Sequence, residues 1–192
     1  MMKEEMVILV DENDNELGLM EKLKAHRKGV LHRAFSVFLL NNSNQLLLQK
    51  RALSKYHSPG LWTNTCCSHP RDNETIIEAA NRRLAEEMGI SSSMKPLLSF
   101  IYKAEFDNGL TEHELDHVVV GNFNGQPSIN EDEVCDWKWE NIDFLKKDLV
   151  DKPSVYTAWF KIIFEKFYNS IKNESNSSVS YTHLTLPTNR EV

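Results

Sequence analysis

Residues 68–90 read Ser68-His69-Pro70-Arg71-Asp72-Asn73-Glu74-Thr75-Ile76-Ile77-Glu78-Ala79-Ala80-Asn81-Arg82-Arg83-Leu84-Ala85-Glu86-Glu87-Met88-Gly89-Ile90. The stretch from Thr75 to Met88 reads as a helix. Thr75 and Glu78 have the spacing of a capping box, and Gly89 stands where a left-handed C-terminal stop belongs. Ile76, Ala80, Leu84 and Met88 recur every four residues as a core stripe. Arg83 and Glu87 therefore share a different side, from which both can reach outward to a ligand.

On the N-terminal side the pattern is that of strands and turns: 6–10, a polar turn over 11–15, then 33–40 and 45–50 as a hairpin around Asn41 to Asn44. Ser58-Pro59-Gly60 breaks the chain, and 61–64 restart it in extended form before Cys66-Cys67-Ser68-His69. On the C-terminal side, strands over 97–106 and 112–123 flank a turn at Asp107-Asn108-Gly109. A helix follows over 141–149. A longer aromatic-rich helix starts near Pro153, with Val155, Trp159 and Ile162 at core-like spacing. From Asn173 the composition turns to Asn, Ser and Thr without periodicity, so 1–172 are expected to form one domain and 173–192 a disordered or non-native tail.

The chain has 192 residues, a formal net charge of −6, and three cysteines. That length buries a core without disulfides, and an odd number of cysteines argues against a disulfide framework. The acidic balance disfavours a nucleic-acid backbone as partner, and an anionic ligand would need a locally basic pocket or a metal. No run approaches the roughly 18 apolar residues of a membrane span, and the acidic start Met1-Met2-Lys3-Glu4-Glu5 is no signal peptide. A cytoplasmic location is expected.

Against this background, 68–90 resembles the Nudix signature. Glu74, Arg82, Leu84, Glu86, Glu87, Gly89 and Ile90 fall in register, while Ser68 replaces the opening glycine and Arg83 the glutamate after Arg82. Such a loop and helix present carboxylates to a divalent cation that holds a diphosphate. A cation at Arg83 reduces metal loading, so hydrolysis becomes less plausible and a direct grip on the diphosphate more so. Glu87 then keeps one bridging Mg²⁺.

Further residues narrow the resemblance: Arg51-Ala52-Leu53-Ser54-Lys55, Pro59 to Asn64, Cys67-Ser68-His69-Pro70, Glu112-His113-Glu114, Asp132-Glu133-Val134 and Trp159. Over about residues 5–165 the chain is similar to the type 1 isopentenyl-diphosphate isomerases. That likeness implies an α+β fold, an α/β/α-type Nudix sandwich whose mixed sheet is flanked by helices. It also implies interconversion of isopentenyl and dimethylallyl diphosphate. The competing readings are a Nudix pyrophosphohydrolase and a Nudix domain that binds a phosphorylated ligand without turnover.

In extended chain, Cys67 and His69 share a face and Cys66 points away; Glu112 and Glu114 likewise share a face opposite His113. Two carboxylates on one face repel unless protonated or bridged by a cation. A thiol near a metal or basic groups can have a lowered pKa, which suits Cys67 as a base, whereas Cys66 and Cys135 suit plain burial. The resemblance implies that His26, His32 and His69 join Glu112 and Glu114 as a His₃Glu₂ site, with Cys67 and Glu87 near metal as well. Mixed nitrogen and oxygen donors suit Zn²⁺, Mn²⁺ or Fe²⁺ better than Mg²⁺. The spacing of His26 and His32 suits a loop. The other histidines, His57, His113, His117 and His183, are expected to be structural.

The resemblance further assigns protonation of the alkene to Glu114 assisted by Tyr102, proton removal to Cys67, and stabilisation of the carbocation to Trp159, with Trp62 packing the opposite wall. Lys22, Arg51, Lys55 and Arg83 are the expected diphosphate ligands.

Overall fold

The computed structural model describes residues 5–106 and 108–180. Its strands are β1 (Met6–Val10), β2 (Glu16–Glu21), β3 (His32–Leu40), β4 (Gln45–Arg51), β5 (Trp62–Thr63), β6 (Cys66–Ser68), β7 (Met94–Glu105), β8 (Thr111–Asn122) and β9 (Val134–Asn141). The helices are α1 (Lys22–Lys28), α2 (Ile76–Met88), α3 (Ile142–Asp151) and α4 (Ala158–Ser180). All strands join one mixed sheet. β3 is its hub, antiparallel to β1, β4 and β6 and parallel to β8.

Alternation along β3 explains the layers. Phe38 and Leu40 face one side, where they meet α3 through Leu145 and α4 through Phe160, Ile163 and Phe164. Val37 and Leu39 face the other, against Ala80, Leu84 and Met88 of α2. A central strand covered on both faces has no polar face to alternate with, which accounts for the unbroken apolar run from Val37 to Leu40. The expected α/β/α sandwich is therefore the observed one.

Helix α2 has the Thr75–Glu78 capping box, and Gly89 ends it at φ 64°. Pro153 does not open the last helix. It begins a short 3₁₀ turn, Pro153–Val155, and α4 starts at Ala158. Val155 is exposed, and the stripe of α4 that meets the sheet is Trp159, Phe160, Ile163 and Phe164. Helix α4 also runs to Ser180, past the expected boundary near Asn173, with Ile171 and Ser175 buried; 181–192 lie outside the described residues.

The β3–β4 hairpin opens after a single pair, Leu40 with Leu46, and the chain from Asn64 to Ser68 fills the fork. Thr65 is the wedge. Its Oγ1 accepts from Leu39 N (2.9 Å) and donates to Leu47 O (2.7 Å), so each arm of the fork loses one ladder bond and regains it from a side chain. Gln49 Nε2 donates to Thr65 O at 2.8 Å and fixes the depth of the wedge. The insertion pairs Cys67 with Ser36 in the middle of the sheet.

Thr65→Val keeps the volume and removes both hydrogen bonds from a residue with no exposed surface. Leaving buried backbone groups unpaired costs about 1–3 kcal/mol each. The urea midpoint of this variant is expected to fall by an amount equivalent to about 2 kcal/mol or more; an unchanged midpoint would show that the fork closes without the hydroxyl.

Candidate active site and metal centre

Helix α1 carries His26 in its last turn. Glu21 caps its start, accepting from Leu23 N and Lys24 N (both 2.7 Å), and Gly29 ends it at φ 60°. His32 opens β3. The loop expected around these two histidines is thus a helix end and a strand start, with only the turn between them irregular. His26 Nδ1 lies 2.7 Å from Lys22 O, and His32 Nδ1 lies 2.8 Å from Val30 O. A ring that donates from Nδ1 presents a lone pair at Nε2.

Those Nε2 atoms converge on one oxygen. Glu114 Oε1 lies 3.1 Å from His69 Nε2, 3.5 Å from His32 Nε2 and 3.9 Å from His26 Nε2. A potential ligand atom from each of His26, His32, His69 and Glu114 lies within 4.8 Å of the others, and all four residues are buried. Burial lowers the pKa of His26, and that of His69 to about 4, so both rings are neutral at pH 7. His26 and His32 have no hydrogen-bond partner at Nε2 among the described residues. Buried lone pairs aimed at a carboxylate are an arrangement that a divalent transition ion resolves, so this donor set fits a metal.

Glu112 stands outside that group of four. It lies two residues along β8 on the same face, with Oε2 3.0 Å from the Tyr102 hydroxyl, which lies 2.7 Å from Glu114 Oε2. Burial and the charge of Glu114 raise the Glu112 pKa well above the ordinary carboxylate range. Burial acts on Glu114 the same way, but the adjacent His32 and His69 imidazoles outweigh it and hold the group well below that range. Burial also pushes the Tyr102 phenol up, so it keeps its proton.

Cys67 and His69 enter the same pocket as Glu114, with Tyr102 and Trp159. Cys66 points to the opposite face, fully buried against the α2 side, as the alternation requires. Cys135 is exposed rather than buried. The expectation of a lowered pKa at Cys67 is not met: burial dominates, outweighing nearby Arg51, and pushes the thiol up.

Lys22, Arg51, Lys55 and Arg83 all line this pocket, as does Glu87. Arg83 is pinned by Glu87 (2.5 Å), Glu86 (2.7 Å) and Glu133 (3.2 Å). Lys55 pairs with Glu133, and Lys22 with Glu5 at 3.0 Å. The Arg51 guanidinium instead sits 5.3 Å above the Trp159 ring. Glu87 accepts a further bond from Gln49 Nε2 at 2.8 Å. Arg82 and Glu74 of the signature serve each other, at 2.6 and 2.8 Å, and tie the loop to α2.

Trp62 is not a wall of the pocket; it carries Lys50 and Lys138 over its ring. His113 and His117 are structural as expected, bonded to Gly29 O and paired with Asp14, and His183 lies outside the described residues. His57, expected to be structural, is instead brought to the site. It lines the pocket, packs edge-on against Trp159 at 5.7 Å and has Nε2 3.7 Å from Glu112 Oε1. Its only signal in the sequence is its place between two motif stretches.

Residues 30–160 match the NUDIX domain family. The chain is 49% identical over 163 residues to isopentenyl-diphosphate Delta-isomerase 2 of Aromatoleum aromaticum, covering 85% of this chain and 86% of that one. It is 52% identical over 160 residues to isopentenyl-diphosphate Delta-isomerase 2 of Photorhabdus laumondii, covering 83% and 90%. Among solved structures, DR0079 from Deinococcus radiodurans superposes with a TM-score of 0.70 at 22% identity, over 84% of this chain and 98% of that one, a likeness of fold. With the sandwich, the signature helix and this extent of identity together, the chain belongs to the NUDIX family and, within it, to the isopentenyl-diphosphate Delta-isomerases.

Proposed function

We propose that the chain interconverts isopentenyl diphosphate and dimethylallyl diphosphate, adding a proton to one carbon of the alkene and removing another from its neighbour by way of a tertiary carbocation. The observation that carries this reading is the meeting of Cys67, Glu114 and Tyr102 in a buried pocket whose rim holds four cationic side chains. Pyrophosphohydrolysis fits less well, because Arg83 stands where the signature has a glutamate and so removes one metal-ligating carboxylate. A binding module has no use for a thiol beside a histidine cluster.

Cys67 and Glu114 rise from β6 and β8, on either side of β3. Between them they need one transferable proton; burial raises Cys67 while the imidazoles beside Glu114 lower that carboxyl, which favours the thiol as the proton's resting place in the ligand-free protein. From dimethylallyl diphosphate, Cys67 is already the donor and Glu114 the acceptor. From isopentenyl diphosphate, Glu114 is the donor with Tyr102 assisting, so the proton first has to reach the carboxyl. The Trp159 ring, 2% exposed, offers its face to the cation, an interaction of about 2 kcal/mol or more when desolvated.

Lys22, Arg51, Lys55 and Arg83 take the diphosphate. His26, His32, His69 and Glu114, joined by Glu112, hold Mn²⁺ or Zn²⁺, and Glu87 holds Mg²⁺ with the substrate. When bound, these cations offset the buried carboxylates and the diphosphate charge. Three unpaired cysteines suit a reducing cytoplasm. Among the described residues no helix is long and apolar enough to cross a membrane.

Incubation with isopentenyl diphosphate and Mg²⁺ is expected to yield dimethylallyl diphosphate; release of inorganic phosphate would favour the hydrolase. Cys67→Ala is expected to lose isomerisation by at least about 100-fold while still binding substrate, and full activity in it would remove the proposed base. Treatment with a strong chelator is expected to strip a transition ion, lower the Tm and abolish turnover, with Mn²⁺ or Zn²⁺ restoring all three. A chelated protein that stays fully active would exclude the histidine centre from the reaction.

A further inference from the structure

The carboxylates at the centre of the site share too few donors. Tyr102 carries one phenolic hydrogen, and its oxygen lies 2.7 Å from Glu114 Oε2 and 3.0 Å from Glu112 Oε2. One hydrogen cannot serve both acceptors fully. The shorter contact goes to Glu114, which also faces three imidazoles. Glu112, 4% exposed, is left with half a partner. As a metal ligand it would have to be ionised, and a buried ionised carboxylate without donors is costly.

His57 stands at the other oxygen. Its side chain is 9% exposed, and Nε2 lies 3.7 Å from Glu112 Oε1, within about an ångström of a hydrogen bond. Nδ1 is buried and unpartnered among the described residues, so a proton on Nε2 is the tautomer that finds an acceptor. The ring is wedged by Tyr56 at 4.5 Å, Phe106 at 5.5 Å and Trp159 at 5.7 Å, and its backbone carbonyl accepts from Arg51 Nη2 at 3.2 Å. Little freedom remains to it. The four converging donors exclude Glu112, which sits one step farther along β8 and needs a hold on its far oxygen to present the near one.

We propose that His57 is a positioning residue for the metal centre: its Nε2–H holds Glu112 Oε1 so that Glu112 completes the donor set formed by His26, His32, His69 and Glu114. This rests on the metal-centre reading given above. Outer partners of this kind are worth about 10- to 100-fold in metal affinity.

Two substitutions separate donation from packing. His57→Phe keeps a ring against Trp159 and Phe106 without a donor, and His57→Gln keeps an N–H donor without the ring. Parent and variants, loaded with Zn²⁺ or Mn²⁺, are titrated with a competing chelator, and the Tm of each metal-free form is recorded. The Phe variant is expected to release metal about 10- to 100-fold more readily with its metal-free Tm unchanged, while the Gln variant stays close to the parent. Parent-like retention in the Phe variant, or equal loss in both, would overturn the role of His57 and leave the centre intact. A parent that holds no transition ion would overturn the metal-centre reading itself, and this inference with it.

Discussion

The site depends on the register of the parallel ladder between β3 and β8, which sets His32 opposite Glu114. Side chains alternate along a strand, so a slip of one residue would turn Glu112 and Glu114 out of the pocket and bring His113 in. Register is held by burial on both faces: Phe38 and Val118 pack on one side, Val37 and Val119 on the other. On the far side of β3, β6 sets Cys67 opposite Ser36. One strand therefore fixes Cys67 and Glu114 relative to each other, and the Thr65 wedge makes room for Cys67.

The parts of this arrangement that sequence could reveal are those governed by local rules. Helix α2 announces itself through Thr75, Glu78 and Gly89, and period two puts Cys67 with His69 and Glu112 with Glu114 before any pairing is known. Helix α1 is different. It has seven residues and a glutamate cap at Glu21, outside the usual Ser, Thr, Asp and Asn, so His26 reads as loop. The onset of α4 is misread for a related reason: Pro153 suits a first turn, but the first turn it makes is an isolated 3₁₀ one.

Properties set by distant neighbours were not legible at all. Proximity of basic residues suggested an acidic thiol at Cys67, yet its pKa is decided by burial beneath elements far apart in sequence. His57 and Trp62 exchange the roles that the sequence suggests for the same reason. The chain passes the pocket at His57, while Trp62, in β5, is turned toward Lys50 and Lys138. Neither orientation has a local cause.

Charge explains how an acidic protein keeps a basic pocket ready. Lys22, Lys55 and Arg83 are each held by a carboxylate, with Glu133 shared between the last two, so these three charges are partly neutralised before a ligand arrives. On the proposed reading a diphosphate would have to replace those carboxylates, so its affinity would be the difference between two sets of ion pairs rather than the sum of one. Arg51 is the exception among the four: no carboxylate among the described residues pairs with it, and it rests on the Trp159 ring instead. A guanidinium on that face raises the energy of a second cation there. If, as proposed, Arg51 takes the diphosphate and Trp159 faces the carbocation, departure of the guanidinium would free the ring, linking anion binding at the rim to cation stabilisation in the interior through one side chain.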